Sequence, residues 1–147
     1  MENPLGVKAQ FYNMEDESVA SIFEFKFEHQ SYPQRVHGGM ISAMLDELIG
    51  RVLWVKEPDT YGVTTSLTVK FRKPVPYNTQ LKARAVMQTE SARFFTAHGE
   101  IFDMQGNLLA EADGNYLKLP PEKIATDVDV NEEMCYDIED EIADIEF

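Results

Sequence analysis

Between Val36 and Trp54 the residues Met40, Ile41, Met44, Leu45, Leu48, Ile49, Val52 and Leu53 recur three and four positions apart, the period of an α-helix. Ala43 and Trp54 extend the apolar cover around most of the circumference. A helix that is apolar nearly all round is buried, so the rest of the chain has to cover it. One carboxylate, Asp46, sits in the middle of this run. With Ser42 and Gly50 it forms a narrow polar or small stripe at i, i+4 and i+8. The neighbouring Glu47 and Arg51 are spaced to pair, worth a few tenths of a kcal/mol. Asp46 has no basic residue three or four positions away. An acid so placed must be neutralised, satisfied from another element, or used in chemistry.

The start of the helix is equally constrained. Gly38 and Gly39 carry no Cβ, so a ligand or a second chain can approach the backbone there. The first turn of a helix presents N–H groups without intrahelical partners, and its dipole favours negative charge. Such a terminus suits an oxyanion as well as a phosphate. His37 stands where a capping or orienting hydrogen bond is expected, and no Ser or Cys is placed beside it as a nucleophile.

Around this helix the remaining pattern is that of strands. Val19 to Glu28 alternates, with Phe23, Phe25 and Phe27 on one face and Glu24, Lys26 and Glu28 on the other. The helix is expected from near Gly39 to about Lys56, where Glu57-Pro58-Asp59 ends it. Strands are expected over Tyr61 to Arg72, Thr79 to Thr89, Arg93 to Met104 and Leu108 to Leu119, with a hairpin turn through Asp103 to Asn107. Residues 1–19 are mixed, with Val7, Phe11, Tyr12 and Met14 expected to pack. The expected class is α+β: one long central helix wrapped by a curved antiparallel sheet of about five or six strands.

Charge divides the chain in two. Residues 127–147 hold ten acids and no Lys or Arg, leaving sixteen of the 26 acids to face all 13 bases in residues 1–126. The expected organisation is therefore one domain over 1–126, followed by an acidic tail over 127–147 that is disordered or a short amphipathic helix on Met134, Ile138, Ile142 and Ile145. Neither part carries the basic stripe of a nucleic-acid surface. No run of 18 apolar residues is present and the first residues lack the basic and apolar regions of a signal peptide, so neither a membrane span nor export is expected. The single Cys135 cannot form an internal disulfide, consistent with an expected cytoplasmic location. The three histidines, His29, His37 and His98, are scattered without ligand spacing, so no zinc or other metal is expected.

His37-Gly38-Gly39 followed by an apolar run and the Asp46-Glu47 pair, with Tyr32-Pro33-Gln34-Arg35-Val36 leading in, resembles the hotdog-fold acyl-CoA thioesterases of the phenylacetate-pathway (PaaI-like) branch. The resemblance runs from about Phe23 to about Leu119. It implies a hotdog fold and hydrolysis of an acyl-CoA or related thioester with no cofactor. It implies that the Gly38 N–H polarises the thioester carbonyl and that Asp46 is the nucleophile or general base. Thr64, in Gly62-Val63-Thr64-Thr65, matches the position of a Ser or Thr that helps hold the attacking water. Many members carry an Asn or Gln before the glycines; here Ser31 and Gln34 are the candidates. The resemblance also implies that His37 and Gly39 flank the same substrate site. Lys70, Arg72 and Lys73, with Lys82 and Arg84 on the following strand, form the densest basic cluster, and Arg72 and Lys73 lead as partners for the phosphates of coenzyme A. Hotdog domains bury an open edge by pairing, which implies a homodimer or a dimer of dimers with Gly38 and Asp46 meeting across the subunit boundary. The rival from another class is a non-catalytic acyl-CoA-binding or regulatory hotdog protein, which has no need to bury an acid beside its ligand. A hotdog hydratase would want a His base beside the acid.

Overall fold

The computed structural model describes residues 9–29, 35–119 and 147. Six strands and one α-helix follow in the order β1 (Ala9–Asn13), β2 (Val19–Glu24), α1 (Gly38–Gly50), β3 (Tyr61–Phe71), β4 (Gln80–Glu90), β5 (Phe94–Asp103) and β6 (Leu108–Leu119). The strands form a single sheet in the order β1-β2-β4-β5-β6-β3, and every neighbouring pair is antiparallel. The curved sheet wraps α1, which packs on β2, β3, β4, β5 and β6.

The helix is buried as its composition requires. Ile41, Met44, Leu45, Leu48 and Ile49 are all buried, and burying each such side chain stabilises by about 1.5–3 kcal/mol. Opposite them the sheet presents small residues: Ala83 and Ala85 on β4, Ala97 on β5, Ala110 and Ala112 on β6, all buried. A Cβ on Gly99 of β5 would fall 2.8 Å from Cγ1 of Ile49, so the helix lies nearly on the backbone there. Larger side chains fill the flanks, among them Phe25, Phe95, Leu81, Ile101 and Tyr116.

Several local expectations are corrected. The α-helix stops at Gly50 and the chain continues as a 3-10 helix over Arg51–Val55, so the α-helical part is shorter than the run expected to about Lys56. The strand from Val19 ends at Glu24, and a 3-10 turn over Phe27–His29 takes the chain out of the sheet. Phe23 and Phe25 are buried, but Phe27 is 54% exposed and meets the ring of Tyr77 edge-on. The short edge strand Ala9–Asn13 was not expected; it pairs with β2 and carries Phe11 against the core. Strand order also divides the basic cluster. β4 is separated from β3 by β5 and β6, so Lys82 and Arg84 do not lie beside Lys70 and Arg72. Among the described residues, no helix is long and apolar enough to cross a membrane. Ser31, Gln34, Cys135 and the tail residues up to 146 lie outside the described residues.

Candidate active site

Asp46 faces the sheet from the third turn of α1, partly buried. Its carboxylate is satisfied from the sheet, not from its own helix. Thr64 of β3 donates its hydroxyl to Oδ1 at 2.7 Å, and Tyr116 of β6 donates to the same oxygen at 2.8 Å. Among the described residues no donor reaches Oδ2. Thr64 and Tyr116 are register partners across β3 and β6, which sets both hydroxyls against one carboxylate. A β-bulge follows immediately after Thr64. Bulges of this kind re-aim side chains next to working sites.

Tyr116 is buried at 1% exposure and is the residue the sequence reading missed. Its ring stacks on Phe95 at 4.8 Å and 10°. Glycines leave the room this pair of rings occupies: a Cβ on Gly114 would fall 2.5 Å from Cε2 of Tyr116, and one on Gly62 would fall 3.0 Å from Cε1 and Cζ of Phe95. Burial, and then the charge of Asp46, push the phenol well above its ordinary range, so it stays a protonated donor. The inward series Ala110, Ala112, Gly114, Tyr116 on β6 is the signal that points this phenol at the helix stripe.

The remaining stripe residues have local duties. Ser42 donates its hydroxyl to the Gly38 carbonyl at 2.9 Å, and Gly50 lies beside the Tyr116 ring, where a Cβ would make ordinary contact at 3.8 Å. Asp46, Thr64, Tyr116, Gly50 and Gly62 line a cleft of about 360 Å³, with Trp54 and Tyr61 forming its aromatic wall. At its mouth Glu47 and Arg51 pair at 3.0 Å, as their spacing predicts, and the guanidinium lies 3.8 Å over the ring of Phe11.

A second cleft, of about 390 Å³, opens at the start of the helix and is lined by Arg35, Gly38, Ile41, Phe71, Arg72 and Lys73. His37 is the N-cap, in extended backbone geometry, and its Nδ1 accepts the N–H of Gly39 at 2.9 Å. The amide of Gly39 is therefore engaged, whereas no acceptor among the described residues takes the Gly38 N–H. A Cβ on Gly39 would lie 3.0 Å from that Nδ1, so the cap itself asks for a glycine. Arg72 pairs with Glu111 at 3.4 Å, while Lys73 has no ion pair among the described residues. His29 and His98 belong to neither cleft: His29 is buried and accepts the Lys26 N–H, and His98 meets Asp113 at 2.9 Å.

The structure thus unites Asp46 with Thr64, and Gly38 with Arg72 and Lys73, in two separate clefts. Eight residues of helix set Gly38 and Asp46 about 12 Å apart along one axis. Among the described residues, no His, Cys, Asp and Glu group is arranged to hold a metal ion.

Comparison with known proteins places the fold. Residues 34–110, more than half of the chain, match the sequence pattern of the thioesterase superfamily. The acyl-coenzyme A thioesterase THEM4 of Rattus norvegicus is 25% identical over 128 residues, 86% of this chain and 54% of its own length. The THEM4 of Bos taurus is 27% identical over 79% of this chain and 47% of its own. The chain therefore spans about half the length of these curated relatives. Among solved structures, a mutant of the phenylacetic acid degradation protein PaaI from Thermus thermophilus superposes with a TM-score of 0.66 at 23% identity, over 78% of this chain and 95% of that one. A hypothetical thioesterase from Streptococcus pneumoniae, solved with coenzyme A, gives 0.70 at 16% identity, over 77% and 90%. The chain belongs to the thioesterase superfamily, as a hotdog-fold member with PaaI-like relatives.

Proposed function

We propose that the protein hydrolyses an acyl-CoA, or a closely related thioester, to the free carboxylic acid and thiol. The observation that carries this reading is the Asp46 carboxylate: an acid on a buried helix, held by two hydroxyls from the sheet, lining an open cleft. A fold needing only a packed helix would not place it there. The THEM4 relatives, named as acyl-coenzyme A thioesterases, and the neighbour solved with coenzyme A support the choice of thioester.

In this reading the thioester carbonyl oxygen lies on the Gly38 N–H, and the helix dipole stabilises the negative charge that develops there. Asp46 takes a proton from water as the water oxygen bonds to the carbonyl carbon. The tetrahedral intermediate then collapses, the C–S bond breaks with its electron pair on sulfur, and the proton passes to the thiolate. In the alternative course Asp46 attacks the carbonyl carbon directly and the C–S bond breaks with its electron pair on sulfur. Water then hydrolyses the resulting mixed anhydride to the free acid and the Asp46 carboxylate, and the proton released passes to the thiolate. Thr64 holds the carboxylate and the water. Arg72 and Lys73, beside Gly38, receive the coenzyme A phosphates, with His37 and Gly39 shaping the start of the helix. A carbonyl within reach of the Gly38 amide cannot also be within reach of Asp46 of the same chain, about 12 Å along the helix. The site is therefore shared, with Gly38 from one subunit and Asp46 from the partner subunit.

The test is thiol release from a panel of short-chain, long-chain and aromatic acyl-CoAs, with Asp46→Asn beside wild type. Loss of a positioned base typically costs about 10²–10⁴ in rate, and the variant is expected to fall by that amount while keeping its fold. Turnover retained in Asp46→Asn would overturn the reading. Acyl-CoA binding without turnover in wild type would favour the non-catalytic binding protein.

A further inference from the structure

Asp46 receives two hydroxyl donors, and both reach the same oxygen. This asymmetry carries chemical information. A carboxylate oxygen with two hydrogen bonds is less basic than its twin, so the pair of donors designates which oxygen reacts. We propose that Tyr116 is a positioning residue of the active site: with Thr64 it clamps Oδ1 of Asp46 and so presents Oδ2 as the oxygen that takes the proton from water or attacks the carbonyl. This rests on the reading of Asp46 given above.

Three features separate this role from that of a buried tyrosine finding a partner for its hydroxyl, the ordinary expectation for a core phenol. The first is that the ring is fixed before the hydroxyl is placed. Phe95 stacks on it nearly parallel, Gly114 clears the volume the ring fills, and Gly62 clears that of Phe95. A glycine in a strand weakens the strand, and these two lie on the paired strands β3 and β6. The second is direction. The hydroxyl bridges to the Asp46 carboxylate at 2.8 Å and lies 3.3 Å from the Asp46 main-chain carbonyl, so it reports on the helix turn that carries the acid. The third is constancy. The buried phenol keeps its proton wherever the enzyme would work, so it can only donate, and it donates to an anion. Thr64 alone supplies a hydroxyl from an exposed edge strand; Tyr116 supplies one from the core.

The experiment compares kcat and KM for wild type, Tyr116→Phe, Thr64→Val, Asp46→Asn and Asp46→Asn/Tyr116→Phe, using whichever acyl-CoA of the panel is turned over. Tyr116→Phe keeps the ring and the Phe95 stack and removes only the donor. Its kcat is expected to fall between about 10- and 100-fold with KM within about two-fold, the pattern of a lost constraint on a reacting group. In the Asp46→Asn background the same change is expected to have no further effect, because Tyr116 acts only through Asp46. An unchanged kcat in Tyr116→Phe, or an equal loss in both backgrounds, would overturn the proposal. Failure of the hydrolase reading would appear separately, as turnover retained in Asp46→Asn or absent from wild type. A second readout needs no turnover: the side-chain carboxyl 13C resonance of Asp46, assigned as the one missing in Asp46→Asn, moves in Tyr116→Phe. A resonance that stays in place would overturn the clamp.

Discussion

At the residue scale, the space around Tyr116 is as informative as its hydrogen bonds. An alanine methyl at Gly114 would lie 2.5 Å from Cε2 of the ring, and the ring is locked against Phe95, so it cannot swing aside cheaply. Gly114→Ala should displace the hydroxyl from Asp46 and overpack the core, a change that typically costs about 1–3 kcal/mol. Urea unfolding and the thioesterase assay together check this, and wild-type stability and kcat in the variant would refute it. The same phenol leaves a mark on the pH dependence of stability. Burial first, and the negative charge of Asp46 second, raise its pKa in the folded protein above the ordinary 10.0. A proton held more tightly in the folded state gives stability that is complete below the unfolded pKa and is lost as pH rises above it. Wild type should therefore lose stability between about pH 9.5 and about pH 11.5, and Tyr116→Phe should lose less over the same interval, as read from urea midpoints. Parallel curves for the two proteins would contradict the burial of this group.

At the element scale, the N-terminus of α1 is organised by one imidazole. His37 accepts the Gly39 N–H and holds it in place, which leaves the preceding amide, that of Gly38, facing its cleft. Removing an N-cap acceptor costs about 0.5–2 kcal/mol. His37→Ala should lose that amount, and His37→Asn, which carries a short side-chain acceptor, should regain most of it in thermal unfolding. Equal stability for Ala and Asn would mean the cap contributes nothing. This cap was legible in advance because its signal is local: a polar residue, two glycines and a helical period. β3 to β6 were legible for the same reason, their alternation and turn residues matching the observed bounds within a residue or two. β1 was not, because Ala9–Asn13 is short and derives its place from pairing with β2. The exposure of Phe27 was hidden by an alternation that runs on after the chain has left the sheet. Strand order is set by contacts distant in sequence, so the separation of Lys82 and Arg84 from Arg72 could not be seen in it. Tyr116 lies 70 residues from Asp46, and no local pattern joins them.

At the scale of the whole molecule, β3 is decisive because it closes nothing. It is an eleven-residue strand at the edge of the sheet, bonded on one side to β6, and long edge strands invite pairing with another copy. Thr64 near its beginning lines the Asp46 cleft, and Phe71 at its end lines the Gly38 cleft. In a two-fold dimer each face meets the same face reversed, so the start of one copy's site can meet the end of the other's twice over. Complementation between two inactive variants tests this directly. Gly38→Pro removes the amide in question while suiting the first position of a helix, and the extended backbone of His37 is what a following proline requires. Its Cβ would lie 3.3 Å from the tip of the exposed Phe71 ring, which is free to give way. Gly38→Pro and Asp46→Asn homodimers should each be nearly inactive, the first by about 10²–10³ for one lost oxyanion donor. A heterodimer isolated through two different tags contains one site with both defects and one with neither. It should regain about half the wild-type rate per dimer. If both groups instead served one chain, each site would keep one defect, and the heterodimer would be as inactive as its parents.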